Sequence, residues 1–89
     1  MITERDKKII REISAEYRAK RVLLFGSSTD PAKESQDIDI AVEGIQPKDF
    51  FKYYGELMLK LSKPVDLVEL CGTSKFIRLI QQEGVLVYG

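Results

Sequence analysis

An apolar run, Val22-Leu23-Leu24-Phe25, stops at Gly26-Ser27, and nine residues later a second run begins, Asp37-Ile38-Asp39-Ile40-Ala41-Val42. The first is too short for a helix and has no polar face, so it predicts a strand buried on both sides. The second alternates, with Ile38, Ile40 and Val42 turned to a core and Asp37, Asp39 and Ala41 turned the other way. Nine intervening residues cannot hold a full crossover, which makes the two strands antiparallel neighbours. The pair therefore fixes the middle of a sheet and puts two carboxylates on one of its faces.

The remaining segments supply what that sheet needs. From Thr3 to Lys20, Ile9, Ile10, Ile13 and Tyr17 fall on one stripe of an amphipathic helix, with Thr3 and Asp6 forming a weak relative of the capping box. Residues Ser27 to Gln36 are polar, and Pro31 limits them to a single helical turn. Gly44 ends the second strand. Pro47 suits the first position of a helix running to Ser62, whose inner stripe is Phe50, Tyr54, Leu57 and Leu61. Phe51, Met58 and Leu59 widen its apolar arc beyond one sheet contact, and Gly55 inside it costs roughly 1 kcal/mol of helix propensity. Pro64 precedes a third strand, Val65 to Leu70, in which Asp66 sits between Val65 and Leu67. After Gly72, Thr73 or Ser74 caps a helix from Lys75 to Gln82 with Phe76, Ile77, Leu79 and Ile80 on its buried side. Gly84 stops it, and Val85 to Tyr88 makes a closing strand. The order is helix, strand, strand, helix, strand, helix, strand: a single α+β domain over residues 1–89, with about four strands covered by helices.

Composition narrows the chemistry. Lys plus Arg equals Asp plus Glu at fourteen each, so no overall field draws the chain to nucleic acid or an anionic membrane, and a long polynucleotide is not the favoured ligand. There is no histidine, which removes the usual general base, the Ser-His and Cys-His pairs and the commonest zinc ligand. Carboxylates are left to carry the chemistry. Cys71 is the lone cysteine and cannot form an internal disulfide. No run is long enough to span a bilayer, and Glu4, Arg5, Asp6, Lys7 and Lys8 stand where a signal peptide would be apolar, so a cytoplasmic location is expected. Eighty-nine residues bury little surface, which leaves room for a partner or second subunit in a homo- or hetero-oligomer.

Asp37 and Asp39, two strand positions apart, have backbones roughly 6.5 to 7 Å from each other, a gap two short side chains close around one hard cation. Magnesium fits best, because it takes oxygen ligands and shares its sites with substrate phosphates. Asp66, on a strand that can neighbour the second, adds a third oxygen donor and allows a second ion. Two ions about 4 Å apart clamp the attacking and leaving oxygens of an in-line phosphoryl or nucleotidyl transfer. Gly26 lets a phosphate approach the backbone, and Ser27 offers its hydroxyl and amide. Singly, an Asp-x-Asp on a strand is more often a solvated edge and a Gly-Ser more often a plain turn; it is their combination that points to a site. The chain has neither a P-loop nor a dinucleotide fingerprint, and Ala41 and Val42 stand where an EF-hand needs oxygen ligands.

Leu24-Phe25-Gly26-Ser27, then Asp37-Ile38-Asp39-Ile40-Ala41-Val42, then Val65-Asp66-Leu67-Val68 resembles the minimal nucleotidyltransferase (MNT) domain of the DNA polymerase β superfamily. The resemblance implies the nucleotidyltransferase fold, a small mixed sheet flanked by helices, with ATP or another nucleoside triphosphate as donor and two magnesium ions. It implies Asp37, Asp39 and Asp66 as catalytic residues and metal ligands, with Asp66 also assisting deprotonation of the acceptor hydroxyl. Gly26 and Ser27 become the triphosphate contacts, and Lys33 joins them by offsetting Asp30. In many small proteins of this kind the partner is a helical HEPN toxin, which the nucleotidyltransferase neutralises by modifying a tyrosine.

Two expectations of different class follow. In the first, the chain is an enzyme that moves AMP from ATP to a hydroxyl acceptor, a tyrosine of a HEPN-type partner. In the second, it is a non-catalytic antitoxin module that works by occlusion with a degenerate nucleotide site. The motive for the second is the turn Ser28-Thr29-Asp30-Pro31, which stands where such proteins carry a basic, glycine-containing turn, together with Gln36 in place of a serine.

Overall fold

The computed structural model describes residues 2–30 and 36–89. Helix α1 (Glu4–Glu16) leads to strand β1 (Arg21–Leu24), a 3-10 turn (Gly26–Thr29), strand β2 (Ile38–Glu43), a second 3-10 turn (Pro47–Asp49), helix α2 (Phe50–Lys60), strand β3 (Val65–Glu69), helix α3 (Lys75–Glu83) and strand β4 (Val85–Tyr88). The sheet order is β3-β2-β1-β4. β1 runs antiparallel to both β2 and β4, while β2 and β3 are parallel, so the sheet is mixed and the fold is α+β, as expected.

The sheet has an unequal pair of faces because its strands alternate. Val22, Leu24, Ile38, Ile40, Val42, Val65 and Val87 join Ile10, Ile13, Tyr53 and Leu57 in the larger core, under α1 and α2. Leu23, Ala41 and Leu70 meet Ile77 and Ile80 of α3 on the other face. Asp39 lies between Ile38 and Ile40 and so belongs to the α3 face. α3 covers only part of it, and the carboxylates occupy the uncovered end.

Local chemistry sets the helix boundaries. Thr3 caps α1 by accepting from the Asp6 amide at 3.1 Å, but Asp6 does not return the bond as a full capping box requires. Its buried carboxylate accepts instead from the Ser62 hydroxyl at 2.6 Å and amide at 3.3 Å, tying the start of α1 to the end of α2. α1 stops at Glu16, short of Lys20, where Arg18 takes a left-handed φ of 59°. Ser74, not Thr73, caps α3 by accepting from the Ile77 amide.

Three expectations from the pattern need correction. The Pro47 helix begins as a separate 3-10 turn, and its fully buried residues are Tyr53 and Leu57, with Phe50 and Tyr54 only partly covered. The reason is that α2 packs on α1 as well as on the sheet, so its inner face is turned toward the Ser14 hydroxyl, 2.8 Å from that of Tyr53. In α3, Phe76 and Leu79 are about half exposed, because Ile77 and Ile80 alone face the sheet. Finally, the place of Asp66 between Val65 and Leu67 makes it look buried in the sequence, but it is exposed: β3 is an edge strand and needs only one covered face.

At the opposite edge, a bulge between Val22 and Leu23 lets both Val87 and Tyr88 reach the larger core. Arg11 of α1 donates its Nε–H to the Val87 carbonyl at 3.0 Å.

The buried Tyr53 hydroxyl gives the fold an alkaline limit. Burial pushes its pKa from 10.0 up to about 12, against the opposing hydrogen bond from Ser14. A tyrosine raised in the folded state contributes stability that is complete below pH 10 and lost as pH rises toward 12. Tyr53→Phe is therefore expected to flatten the fall in melting temperature over that window, measured by thermal scans at stepped pH.

Candidate active site

Gly26 ends β1 with a φ of 60°, a left-handed conformation glycine adopts without penalty. A Cβ built on it would stand 2.7 Å from Oδ2 of Asp39, so the backbone of the turn lies directly against that carboxylate. The Phe25 amide donates to the Asp39 carbonyl at 3.1 Å, and this last rung of the β1–β2 ladder sets the distance.

A residue the sequence pattern did not single out completes the link. Ser28 is fully buried, and its hydroxyl accepts from the Asp39 amide at 2.9 Å and donates, at a long 3.5 Å, to the Asp37 carbonyl. One side chain thus pins the 3-10 turn to the backbone on both sides of Ile38 and holds the two aspartates in register. The sequence signal was faint: a second small hydroxyl residue directly after Gly-Ser. Replacing Ser28 with alanine leaves the Asp39 amide without its partner, and Mg2+ affinity is expected to fall roughly 10- to 100-fold, as for other groups that orient a metal ligand. Isothermal titration with Mg2+ and nucleotide checks this.

Asp66 arrives from β3. In the parallel pairing Asp39 stands opposite Asp66, so both belong to the α3 face. Asp37 lies just before β2 and is exposed, as is Asp66, while Asp39 is half-buried. Burial is the first cause that pushes the Asp39 pKa up, followed by the negative charges of Asp66 and Asp37. Of the three carboxylates predicted from the sequence, Asp39 is therefore close enough to the other two to feel their charge.

That repulsion is the test of whether the residues suit a divalent cation. An oxygen-only donor set, acidic, partly exposed and already strained by its own charge, has the chemistry of a hard-ion site that shares ligands with a phosphate. Among the described residues, no group of three or more Asp, Glu or Cys side chains is drawn close enough to hold an ion as it stands. Ser27 is exposed at the head of the turn, beside Gly26. Lys33, expected to join them, lies outside the described residues.

A glycine turn packed on a half-buried aspartate, with a second aspartate opposite it on the neighbouring parallel strand of a small mixed sheet, defines a nucleotidyltransferase-type domain. The chain belongs to the family described as Polymerase beta, Nucleotidyltransferase, whose model matches residues 7–89. Among solved structures it is similar to a chain of a toxin–antitoxin assembly crystallised with AMP-PNP, with a TM-score of 0.75 and 23% identity over 93% of this chain and 73% of that one. It is also similar to a chain of the toxin–antitoxin MntA-HepT, with a TM-score of 0.72 and 22% identity over 98% and 73% of the two chains. A third similar structure is a tri-AMPylated Shewanella oneidensis HEPN toxin in complex with an MNT antitoxin, at a TM-score of 0.70 and 23% identity over 94% and 70%. No curated protein sequence matches the chain. Among the described residues, no helix is long and apolar enough to cross a membrane.

Proposed function

We propose that this chain is a magnesium-dependent nucleotidyltransferase that moves AMP from ATP onto a hydroxyl, a tyrosine of a HEPN-type toxin, and acts as that toxin's antitoxin. The observation that carries the reading is the facing of Asp39 and Asp66 across adjacent parallel strands, with Gly26 against the first. Membership of the nucleotidyltransferase family supports the reaction type, and the tri-AMPylated toxin in a similar complex supports the acceptor.

Asp37, Asp39 and Asp66 would hold two Mg2+ ions, which supply charge neutralisation at the attacking and leaving oxygens. Gly26 and Ser27 bind the triphosphate through backbone and hydroxyl donors, and Lys33 adds a positive charge. Asp66, on the edge strand, takes the proton of the acceptor hydroxyl as its oxygen bonds to the α-phosphorus. The bond from that phosphorus to the β-phosphate oxygen breaks, and pyrophosphate leaves. A cytoplasmic location suits a donor of this kind.

One feature favours the occlusion reading as well. On the outer side of α2, Phe51 is 81% and Leu59 86% exposed, and Met58 44%, an apolar strip suited to covering a partner whether or not transfer occurs. Mixing the chain with labelled ATP, Mg2+ and the HEPN-type partner separates the two. Label on the partner that vanishes with Asp39→Asn supports transfer. Neutralisation that persists unchanged in that variant, with no label in either case, supports occlusion.

A further inference from the structure

Beside the carboxylates, a cleft of about 260 Å3 opens between the end of β1 and α3, lined by Phe25, Gly26, Phe76, Leu79, Ile80 and Glu83. Apart from Glu83 its walls are apolar. The rings of Phe25 and Phe76 meet edge to face, 6.0 Å between centroids and 87° between planes, yet Phe76 remains 51% and Leu79 49% exposed. This is the same pair of α3 residues that helical spacing assigned to the core and that the sheet does not cover.

We propose that this cleft receives the base of the nucleotide donor and selects a purine bearing an amino group; the inference rests on the nucleotidyltransferase reading. Three observations converge on it. Gly26 is a wall of the cleft and also the backbone that lies on Asp39, so a triphosphate held at Gly26 and Ser27 has its nucleoside end within reach of the cleft. Asp66, which the proposed function sets at the acceptor, belongs to the edge strand β3, and β2 separates that strand from β1 and the cleft. The size is also apt, since about 260 Å3 is below the range of roughly 300 to 1,000 Å3 that takes a whole drug-sized ligand, but admits a flat ring. Phe76 offers the stacking surface, and Glu83, an exposed residue of the lining, has a carboxylate to accept from an exocyclic amine, which adenine has and uracil lacks.

The test is calorimetric titration of the full chain in Mg2+ with ATP, UTP and inorganic tripolyphosphate, for wild type, Phe76→Ala and Leu79→Ala. Both side chains are half exposed, so the variants keep the core intact. The expected result is tighter binding of ATP than of UTP by wild type, and a loss of roughly tenfold in ATP affinity in Phe76→Ala with tripolyphosphate unchanged. A smaller loss of the same selectivity is expected in Leu79→Ala. ATP affinity that is untouched in both variants, even with label transfer to the partner reduced, overturns the proposal and gives the cleft to the acceptor. Equal losses for ATP and tripolyphosphate also overturn it, by showing an effect on the phosphate site. If wild type binds tripolyphosphate but does not distinguish ATP from UTP, the base assignment fails while the nucleotidyltransferase reading stands; if wild type binds none of the three, both fall.

Discussion

Asp39→Asn is expected to stop nucleotidyl transfer while making the metal-free protein harder to melt. The rate should fall on the order of 10³-fold, the equivalent of several kcal/mol of transition-state stabilisation lost with a metal ligand. Stability moves the other way because wild-type Asp39 is held half-buried, facing Asp66 and close to Asp37, and its pKa is raised above the ordinary 3.8. A carboxyl raised in the folded state costs stability once ionised: metal-free stability falls as pH climbs from 3.8 through the raised value, and the cost persists above it. Asparagine has the same shape without the charge. In EDTA at neutral pH its melting temperature should exceed that of wild type by a few degrees, and the acid side of its pH profile should flatten. Adding Mg2+ and nucleotide should raise the melting temperature of wild type and leave the variant unmoved. A variant that melts at or below the wild-type temperature without metal would mean that the carboxylates do not strain one another.

Gly26→Ala should remove the same activity with the opposite effect on stability. A left-handed φ costs an ordinary residue roughly 1–2 kcal/mol, and here the added methyl also meets Oδ2 of Asp39 at 2.7 Å. The Phe25 amide and the Ser28 hydroxyl fix the Asp39 backbone, so it is the side-chain carboxylate that must swing away from the new methyl. A drop in melting temperature of roughly 5–10 °C is expected, together with at least a roughly tenfold loss of nucleotide affinity as the carboxylate is pushed aside. Thermal scans and titration on one preparation read both. Full nucleotide affinity in a variant of wild-type stability would sever the turn from the site. The two variants form a pair: each is inactive, and only their melting temperatures tell apart a lost ligand and a displaced one.

Why the sequence exposes some of this and hides the rest follows from where each signal resides. Strand alternation decides which side chains share a face, so the co-facing of Asp37 and Asp39 was readable from Ile38 and Ile40 alone. The resemblance implied that Asp66 joins the other two, but placing it opposite Asp39 needed the parallel register of β2 and β3, which only the pairing Ile38↔Val65 delivers. Ser28 was missed because its role depends on the fold of a turn, not on periodicity. Phe76 and Leu79 were misassigned because helical spacing shows that a stripe is apolar but not how wide a surface is there to meet it. Tyr53 was missed for the complementary reason: α2 packs on α1 as well as on the sheet, and a stripe drawn for one contact does not mark a residue turned to the other.

The arginine clasp on the last strand limits how this molecule can grow. With the Val87 carbonyl already taken by Arg11, a foreign strand laid along that border would lose a rung, and at the other border it would run beside Asp66 and Glu69, whose charges discourage stacking. Assembly by sheet extension is thus disfavoured at both margins, and companions are left to dock through helices. That arrangement avoids the near-irreversible zippering by which exposed strand borders turn into fibres.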